Sequence, residues 1–315
     1  MKKVIKMLFL FSLFCGIYTN TLGLEIDFTF DIGTKGGTTN ELADKEEKLI
    51  SRLDWNDRII PTVGFTGQAA MNNFLLRLGI TFVIPVKNGT MEDYDYLIPD
   101  SREPSQYSWH DVYMDKDFTC SIEGGYSFII FNWYITPTIG FQYRNKKWTA
   151  TDGYLQYPMI GHWTGDESKI KLDGSVISYE QAVWFPFAAL EVGYNYRMPY
   201  ESILRVAING GIYPYIRAET NDTHFLRSIQ FYDSLRGGIG WNLGLSVGFF
   251  PGFVNRAGFI INFGYEGVSN VKGASASKNI GVSSGSLIVN EGYGGKIDSS
   301  QWHIKMSIFI PVYSK

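Results

Sequence analysis

The sequence predicts an all-β fold, a ten-stranded antiparallel transmembrane β-barrel with long extracellular loops and short periplasmic turns. The chain has 315 residues, of which 16% are aromatic and 34 are glycine, a composition typical of many short strands joined by tight turns. Charged residues make up 19% of the chain, below the roughly 25% usual in soluble domains. About ten segments alternate apolar and polar side chains, and almost no charge falls on the apolar side. This alternation is typical of strands that cross a membrane.

The first element is a predicted secretory signal peptide, residues 1–23. Lys2, Lys3 and Lys6 precede an uncharged apolar run, and a small-x-small triplet ends at Gly23. Its removal leaves one predicted barrel domain, residues 24–315, and changes the formal net charge from −3 to −6, because three lysines and no acids are lost. Cys120 is then the remaining cysteine, so no intramolecular disulfide is expected. The acidic balance excludes a basic nucleic-acid binder.

The predicted membrane strands follow in order along the chain. Most of them reach the ~9 to 11 residues that a tilted strand needs to cross a bilayer. Beyond the signal peptide no run of ~18 apolar residues occurs, so no transmembrane helix is expected. A soluble β-sandwich also alternates, but the aromatics near the strand ends favour the membrane barrel. The segments are 24–32, 59–68, 74–84, 117–123, 133–144, 184–195, 204–212, 238–249, 259–266 and 302–310.

The connections between these segments alternate in length, which predicts the topology. Short turns are expected near 71–73, 128–132, 197–201 and 251–255, and long loops near 34–57, 87–109, 150–178, 218–230 and 268–301. Five long and four short connections are what ten strands give when both termini face the periplasm. A barrel of this size is narrow, and its predicted inward charges have both signs. Pairing of those charges would plug the lumen, which disfavours a general pore.

Two short polar pairs in the predicted loops indicate where chemistry would occur. Loop two carries Asp93 and Asp95, and loop four carries Asp222 and His224. In an extended chain residues i and i+2 point the same way, so each pair presents both side chains on one side. Asp222 beside His224 raises the basicity of the imidazole, and the acidic pair opposite would help to hold a water molecule. The four residues would form a general-base site for water attack on a carbonyl, without a covalent nucleophile.

At these positions the sequence resembles the omptins, ten-stranded outer-membrane endopeptidases of Gram-negative bacteria. The resemblance spans nearly the whole chain after the signal peptide and includes the Asp-x-Asp of loop two, the Asp-x-His of loop four, and the stretches 31–34, 51–55, 108–110, 148–150 and 179–181. It implies an aspartyl-type endopeptidase of the outer membrane with an extracellular active site. By resemblance, Asp222 orients His224, His224 acts as base on a water molecule, and Asp93 with Asp95 completes the site.

The resemblance also implies how substrate is bound. Omptins use buried acids to hold a basic residue before the scissile bond, and Glu41 matches one of them. The second acid falls at Thr220, and Glu219 is displaced from it by one residue, which turns it to the other side of an extended strand. On this basis the sequence leaves the preference for basic residues open.

Cofactor and partner predictions complete the assignment. Omptins need lipopolysaccharide, and the corresponding positions are Asn145 and Ala182, which cannot pair with phosphate. Arg144, Lys146 and Lys147 lie nearby and either substitute for them or form a solvated basic turn. No metal site is expected, because the histidines are scattered. The predicted partners are polypeptides at the cell surface and outer-membrane lipids, and the predicted state is a monomer.

Three function classes are compatible with this barrel: an endopeptidase, a catalytically silent adhesin or surface-binding protein, and a small-solute pore. The presence of all four candidate catalytic residues favours the endopeptidase over the adhesin.

Overall fold

The protein is described by a computed structural model that covers residues 23–252, 257–280 and 288–314. Residues 1–22, and with them nearly all of the predicted signal peptide, lie outside the described residues. The described part of the chain is built from strands, and none of it forms a helix long and apolar enough to cross a membrane. The strands are β1 Leu24–Lys45, β2 Lys48–Met71, β3 Phe74–Val83, β4 Val86–Asp95, β5 Gln106–Tyr126, β6 Phe128–Ile130, β7 Trp133–Gln156, β8 Ile170–Lys171, β9 Ser175–Arg197, β10 Ile203–Tyr213, β11 Ile216–His224, β12 Ile229–Gly237, β13 Ile239–Phe250, β14 Gly258–Asn279 and β15 Ile288–Ser314.

Ten of these strands close into a ring. Antiparallel pairing runs from β1 through β2, β3, β5, β7, β9, β10, β13 and β14 to β15, and β15 pairs back onto β1. A closed ring leaves no strand edge unpaired, which a barrel in lipid requires. The predicted ten-stranded antiparallel barrel is therefore confirmed.

Four of the five predicted long loops consist largely of paired strand that extends the barrel wall, whereas 150–178 is strand mainly at its two ends. β1 and β2 stay in register beyond the ring and are joined by Glu46 and Glu47, both with positive φ. β4 continues the wall above β3, and β11 and β12 continue it above β10 and β13. Both faces of these extensions carry polar side chains, so the apolar alternation fades while the backbone pairing goes on. We call this end of the barrel the mouth.

The outer wall carries a belt of exposed apolar side chains, which is the surface a lipid-facing barrel presents. Phe30, Phe65, Ile80 and Leu243 are among its members, and Trp133 and Trp241 lie nearer its ends. Polar side chains turn inward from the same strands and line a cavity of about 440 Å³ at the turn end.

Paired charges fill the lumen between this cavity and the mouth, as the mixed inward charges predicted. Arg144 lies 2.6 Å from Glu266, and Lys35 and Lys146 both bind the buried Asp117. These partners come from β1, β5 and β7 and from β14, so the layer crosses the lumen.

Two of the basic residues near the expected lipid-binding positions face the wrong way for lipid. Arg144 and Lys146 alternate inward with the lumen residues and are held by Glu266 and Asp117. Neither residue therefore reaches lipid phosphate or forms a solvated turn, and both alternatives given by the sequence are wrong for these two residues. Asn145 points outward and donates to the Gln181 carbonyl at 3.2 Å.

Candidate functional site

Asp93 and Asp95 lie at the end of β4, in the wall of the mouth. β4 is hydrogen-bonded on both sides, to β2 and to β5, which fixes its pleat. Both aspartates are on the inner face and are buried, with 9% and 8% of their surface exposed. Ser51 of β2 donates to the Asp93 carboxylate at 3.4 Å. The prediction that the two carboxylates share one side of an extended segment agrees with this geometry.

Asp222 and His224 lie at the end of β11, in a different part of the wall. β11 pairs with β9 and β12, so its last residues are also held on both sides. His224 Nε2 lies 2.6 Å from Asp222 Oδ2. The ring of Phe231 packs edge-on against the imidazole, with 5.4 Å between the ring centroids. Because an ionised carboxylate only accepts hydrogen bonds, Nε2 donates to Asp222 and Nδ1 stays free to accept a proton.

The two pairs interact electrostatically across the mouth. Burial and, after it, the charge of Asp95 raise the pKa of Asp93 to about 7, although His224 and Arg227 act in the opposite direction. Burial disfavours the imidazolium, but the charge and hydrogen bond of Asp222 outweigh this effect, with Asp93 contributing, so the pKa of His224 lies above its ordinary value. Burial and the partner on the same strand dominate both shifts, but His224 also lowers the pKa of Asp93 and Asp93 also raises that of His224, so the two pairs act on each other across the mouth.

A second group of carboxylates lies beside this unit. Glu41 of β1 is buried, and burial together with the charges of Asp222 and Asp233 holds its pKa well above the ordinary range. Asp233 of β12 is the direct register partner of Thr220, whose hydroxyl donates to it at 2.9 Å. Within the described part of the chain, nothing donates a hydrogen bond to Glu41 Oε2 or Asp222 Oδ1, although both atoms are buried.

Asp233 is the site residue that sequence reasoning missed. Thr220 stands where a carboxylate was expected, and Asp233 supplies one from the neighbouring strand. The predicted outward turn of Glu219 agrees with its exposed position and its 2.7 Å contact with Arg217. Asp233 lies 13 residues after its partner Thr220. Finding it from sequence would therefore have required the register of the β11–β12 hairpin.

The base of the site is an aromatic cluster. Trp55, Trp148 and Tyr179 are fully buried and stack on each other with centroid separations of 5.7 to 5.9 Å. Burial and the charge of Glu41 raise the pKa of Tyr179, so this residue stays a neutral phenol. Such a base excludes water from below and lowers the local dielectric, which strengthens electrostatic interactions in the site.

Ser108 and His110 form a second polar pair, inside the wall. His110 Nε2 lies 2.9 Å from Ser108 Oγ and Nδ1 lies 2.6 Å from the Asp152 carbonyl. His110 has no exposed surface, so a substrate cannot reach this pair and it acts structurally. Among the described residues no three His, Cys, Asp or Glu side chains are arranged to hold a metal ion.

Chemically, the mouth combines an oriented imidazole, a carboxylate pair with perturbed ionisation and a buried acidic pocket. These are the parts needed to activate water beside a bound cationic group.

Comparison with known proteins gives concordant results. The family model described as the Omptin family matches residues 24–294. A plasminogen activator from Yersinia pestis is 24% identical over 260 residues, covering 80% of this chain and 79% of that protein. The crystal structure of the outer membrane protease OmpT from Escherichia coli superposes with a TM-score of 0.82 at 16% identity, covering 94% of this chain and 99% of that one. The structural likeness supports the fold.

Proposed function

The chain belongs to the omptin family of outer-membrane proteins, and from that premise we propose that it is an endopeptidase acting at the cell surface. The family match and the two protease relatives support a protease function. The single observation that carries the proposed mechanism is the 2.6 Å contact of His224 with Asp222, on the wall opposite the buried Asp93 and Asp95.

In the proposed mechanism a water molecule between the two walls attacks the peptide carbonyl. His224 takes the proton of the water at Nδ1, and Asp222 holds the imidazole in that tautomer and stabilises the imidazolium that forms. Asp93 and Asp95 hydrogen-bond the water from the other side and orient it. With the pKa of Asp93 at about 7, the carboxylate pair shares a proton near neutral pH, and this proton is available to the departing amine.

We propose that the acidic pocket selects a basic residue before the scissile bond. Glu41 brings a buried carboxylate and Asp233 a half-buried one to the same place, and Glu41 Oε2 is without a donor among the described residues. A guanidinium or ammonium group would supply the missing donors and would neutralise the crowded negative charge.

We propose that lipid phosphate is not bound at the two positions that the family resemblance suggests. Asn145 already donates to the Gln181 carbonyl, and Ala182 carries no donor. On the same strip of wall, Lys116 lies 2.8 Å from Glu180. We therefore propose no role for lipid phosphate in the reaction, and the experiment below includes an arm for it.

The test is cleavage of a randomised peptide library by the refolded protein, with and without lipopolysaccharide. Wild type should cleave after Arg or Lys, and His224→Ala and Asp93→Ala should each reduce kcat/KM by at least about 100-fold, because each removes an acid–base group. Mass spectrometry of the products gives the cleavage site and the rate together.

Two matched variants control this experiment. His162→Ala removes a histidine from a loop at the mouth, where its contact is Ser101. Asp115→Ala removes the first residue of the other Asp-x-Asp sequence, where the aspartate accepts from Thr149. Both should cleave like wild type. Absence of cleavage in all arms, or equal cleavage by wild type and His224→Ala, would contradict the endopeptidase and favour a surface-binding protein.

A further inference from the structure

Arg227 lies at the tip of the hairpin formed by β11 and β12, three residues after His224. The tip is a tight turn in which the Ser228 amide donates to the Phe225 carbonyl at 3.3 Å, and Ser228 has a φ of 53°. The turn directs the Arg227 side chain away from its own strands and over the mouth.

The guanidinium of Arg227 reaches the opposite wall. Its Nη2 lies 3.7 Å from Asp95 Oδ2, and it lies close enough to Tyr157, which follows the end of β7, to act on the pKa of that phenol in the lowering direction. One side chain thus connects the His224 hairpin, the strand of the acid pair and the segment after β7. Half of the Arg227 side chain is exposed, whereas Asp95 is 11% exposed.

The groups around Arg227 explain why it adopts this position. Asp93 and Asp95 face it from β4, Asp222 and His224 from β11, and Tyr157 from the segment beyond β7. The surroundings are acidic, so a cation is attracted there in the absence of substrate. An ion pair that is 3.7 Å long and open to solvent contributes at most about 1 kcal/mol, so a ligand can displace it.

We propose that Arg227 is a latch that spans the mouth by binding Asp95, and that an incoming polypeptide must displace it to reach the water held between the two walls. The proposal rests on the proposed function and adds to it a residue that controls access. Arg227 pairs with Asp95 in the resting state, and it withdraws when substrate binds.

The latch is tested first by binding, without cleavage. The affinity of a fluorescent basic peptide is measured by anisotropy for His224→Ala alone and for the same protein carrying Arg227→Gln, Arg227→Lys or Arg217→Gln. Removing the latch should lower the Kd by about threefold to fivefold, the equivalent of a surface ion pair of about 1 kcal/mol.

The two other variants distinguish a latch from a simple change of charge. Arg217→Gln removes the same charge from a half-exposed arginine that binds Glu219 outside the mouth, and it should leave the Kd unchanged. Arg227→Lys keeps the cation, so its Kd for the peptide should stay close to the higher Kd of the parent His224→Ala protein. An unchanged or raised Kd for Arg227→Gln would overturn the proposal, as would an equal effect of Arg217→Gln.

The dependence of kcat/KM on pH is a second test of Arg227, because a purely structural role of this residue would leave the profile unchanged. The charge of Arg227 lowers the pKa of Asp93, Asp95 and His224. In Arg227→Gln both limbs of the kcat/KM profile should therefore shift to higher pH, and Arg227→Lys should restore them. An unshifted profile would contradict the contact with Asp95.

The two proposals fail in different ways. If wild type cleaves peptides but Arg227→Gln does not tighten binding, the endopeptidase stands and the latch is wrong. If Arg227→Gln tightens binding but wild type cleaves nothing, the latch stands and the endopeptidase is wrong.

Discussion

At the scale of single residues, the carboxylate that was expected at Thr220 is supplied by Asp233 on the neighbouring strand. Thr220 and Asp233 are direct cross-strand partners, so their side chains start about 5 Å apart and point to the same side. Moving a carboxylate from one position to the other therefore leaves it in the same pocket. The Thr220 hydroxyl then holds the carboxylate by a 2.9 Å hydrogen bond.

This relocation predicts a specificity change on substitution of Asp233. Asp233→Asn should reduce kcat/KM for peptides with Arg or Lys before the scissile bond by about 10-fold to 100-fold, because a charge-assisted contact is lost. Peptides with neutral residues there should be affected much less. The measurement compares matched peptides that differ at this one residue.

Glu219→Gln is the control, because it removes a carboxylate one residue from Thr220 that is exposed on the other face. It should cleave basic and neutral peptides as wild type does. If Glu219→Gln and Asp233→Asn have the same effect, the pocket has been assigned to the wrong carboxylate.

The two candidate catalytic pairs were accessible to sequence reasoning because each pair is local. Asp93 with Asp95 and Asp222 with His224 are two residues apart, and the period of a strand alone puts each pair on one side. Asp233 and Arg227 were not accessible in this way. Their roles depend on hairpin register and on contacts between segments that are far apart in sequence.

At the scale of elements, β7 carries an irregularity that supports the wall of the site. The pairing of β5 with β7 shifts between Trp109 and Asp111, opposite Asp152 and Gly153, which have φ values of 57° and 97°. At this bulge the Asp152 carbonyl lies 2.6 Å from His110 Nδ1. A bulge of this kind redirects a strand locally, and here it delivers an acceptor to a buried histidine.

Gly153 is required at this bulge for both conformation and space. A Cβ at this position would lie 1.9 Å from the Trp109 carbonyl oxygen, and the φ of 97° is unfavourable for other residues. Gly153→Ala should therefore destabilise the folded barrel by about 2 to 4 kcal/mol, measured by urea unfolding in micelles.

Gly161→Ala separates the two causes. Gly161 has a φ of 87° but no atoms near the position of an added Cβ, so this variant should cost about 1 kcal/mol from backbone strain alone. Equal costs for the two variants would show that the clash with Trp109 is relieved by a shift of the wall.

Element boundaries were the part of the fold that sequence predicted least well. The membrane segments were recognisable because lipid demands an apolar face on every second residue. Above the membrane both faces of a strand meet water or polar side chains, so β1, β2 and β7 continue without that signal. Their extensions were predicted as loops for this reason.

At the scale of the whole molecule, the charged layer in the lumen separates the mouth from the cavity at the turn end. Asp117 is fully buried and binds two lysines from different strands, Lys35 and Lys146. Lys146 also donates to Gln301 of β15 at 2.7 Å. The layer thus ties four strands together across the barrel.

Removing Asp117 should be costly, because it leaves two buried lysines without their carboxylate. We expect Asp117→Ala to lower the free energy of unfolding by about 3 to 5 kcal/mol, measured by urea unfolding in micelles. Asp115→Ala, two residues earlier on the same strand, should cost less than about 1 kcal/mol. A small effect at Asp117 would mean that water enters the layer and screens the lysines.

The first and last strands of the ring, β1 and β15, together form part of the acidic pocket, so the pocket depends on the closure of the ring. Glu41 comes from β1 and pairs in register with Ile297 of β15, and Gly295 of β15 leaves room for Asp233, since a Cβ there would lie 2.8 Å from the Asp233 Cγ. The acidic pocket thus combines the beginning and the end of the chain. During synthesis and export the last strand is missing or unpaired, and the pocket does not yet exist. The proposed substrate pocket is therefore complete only after β1 and β15 have paired.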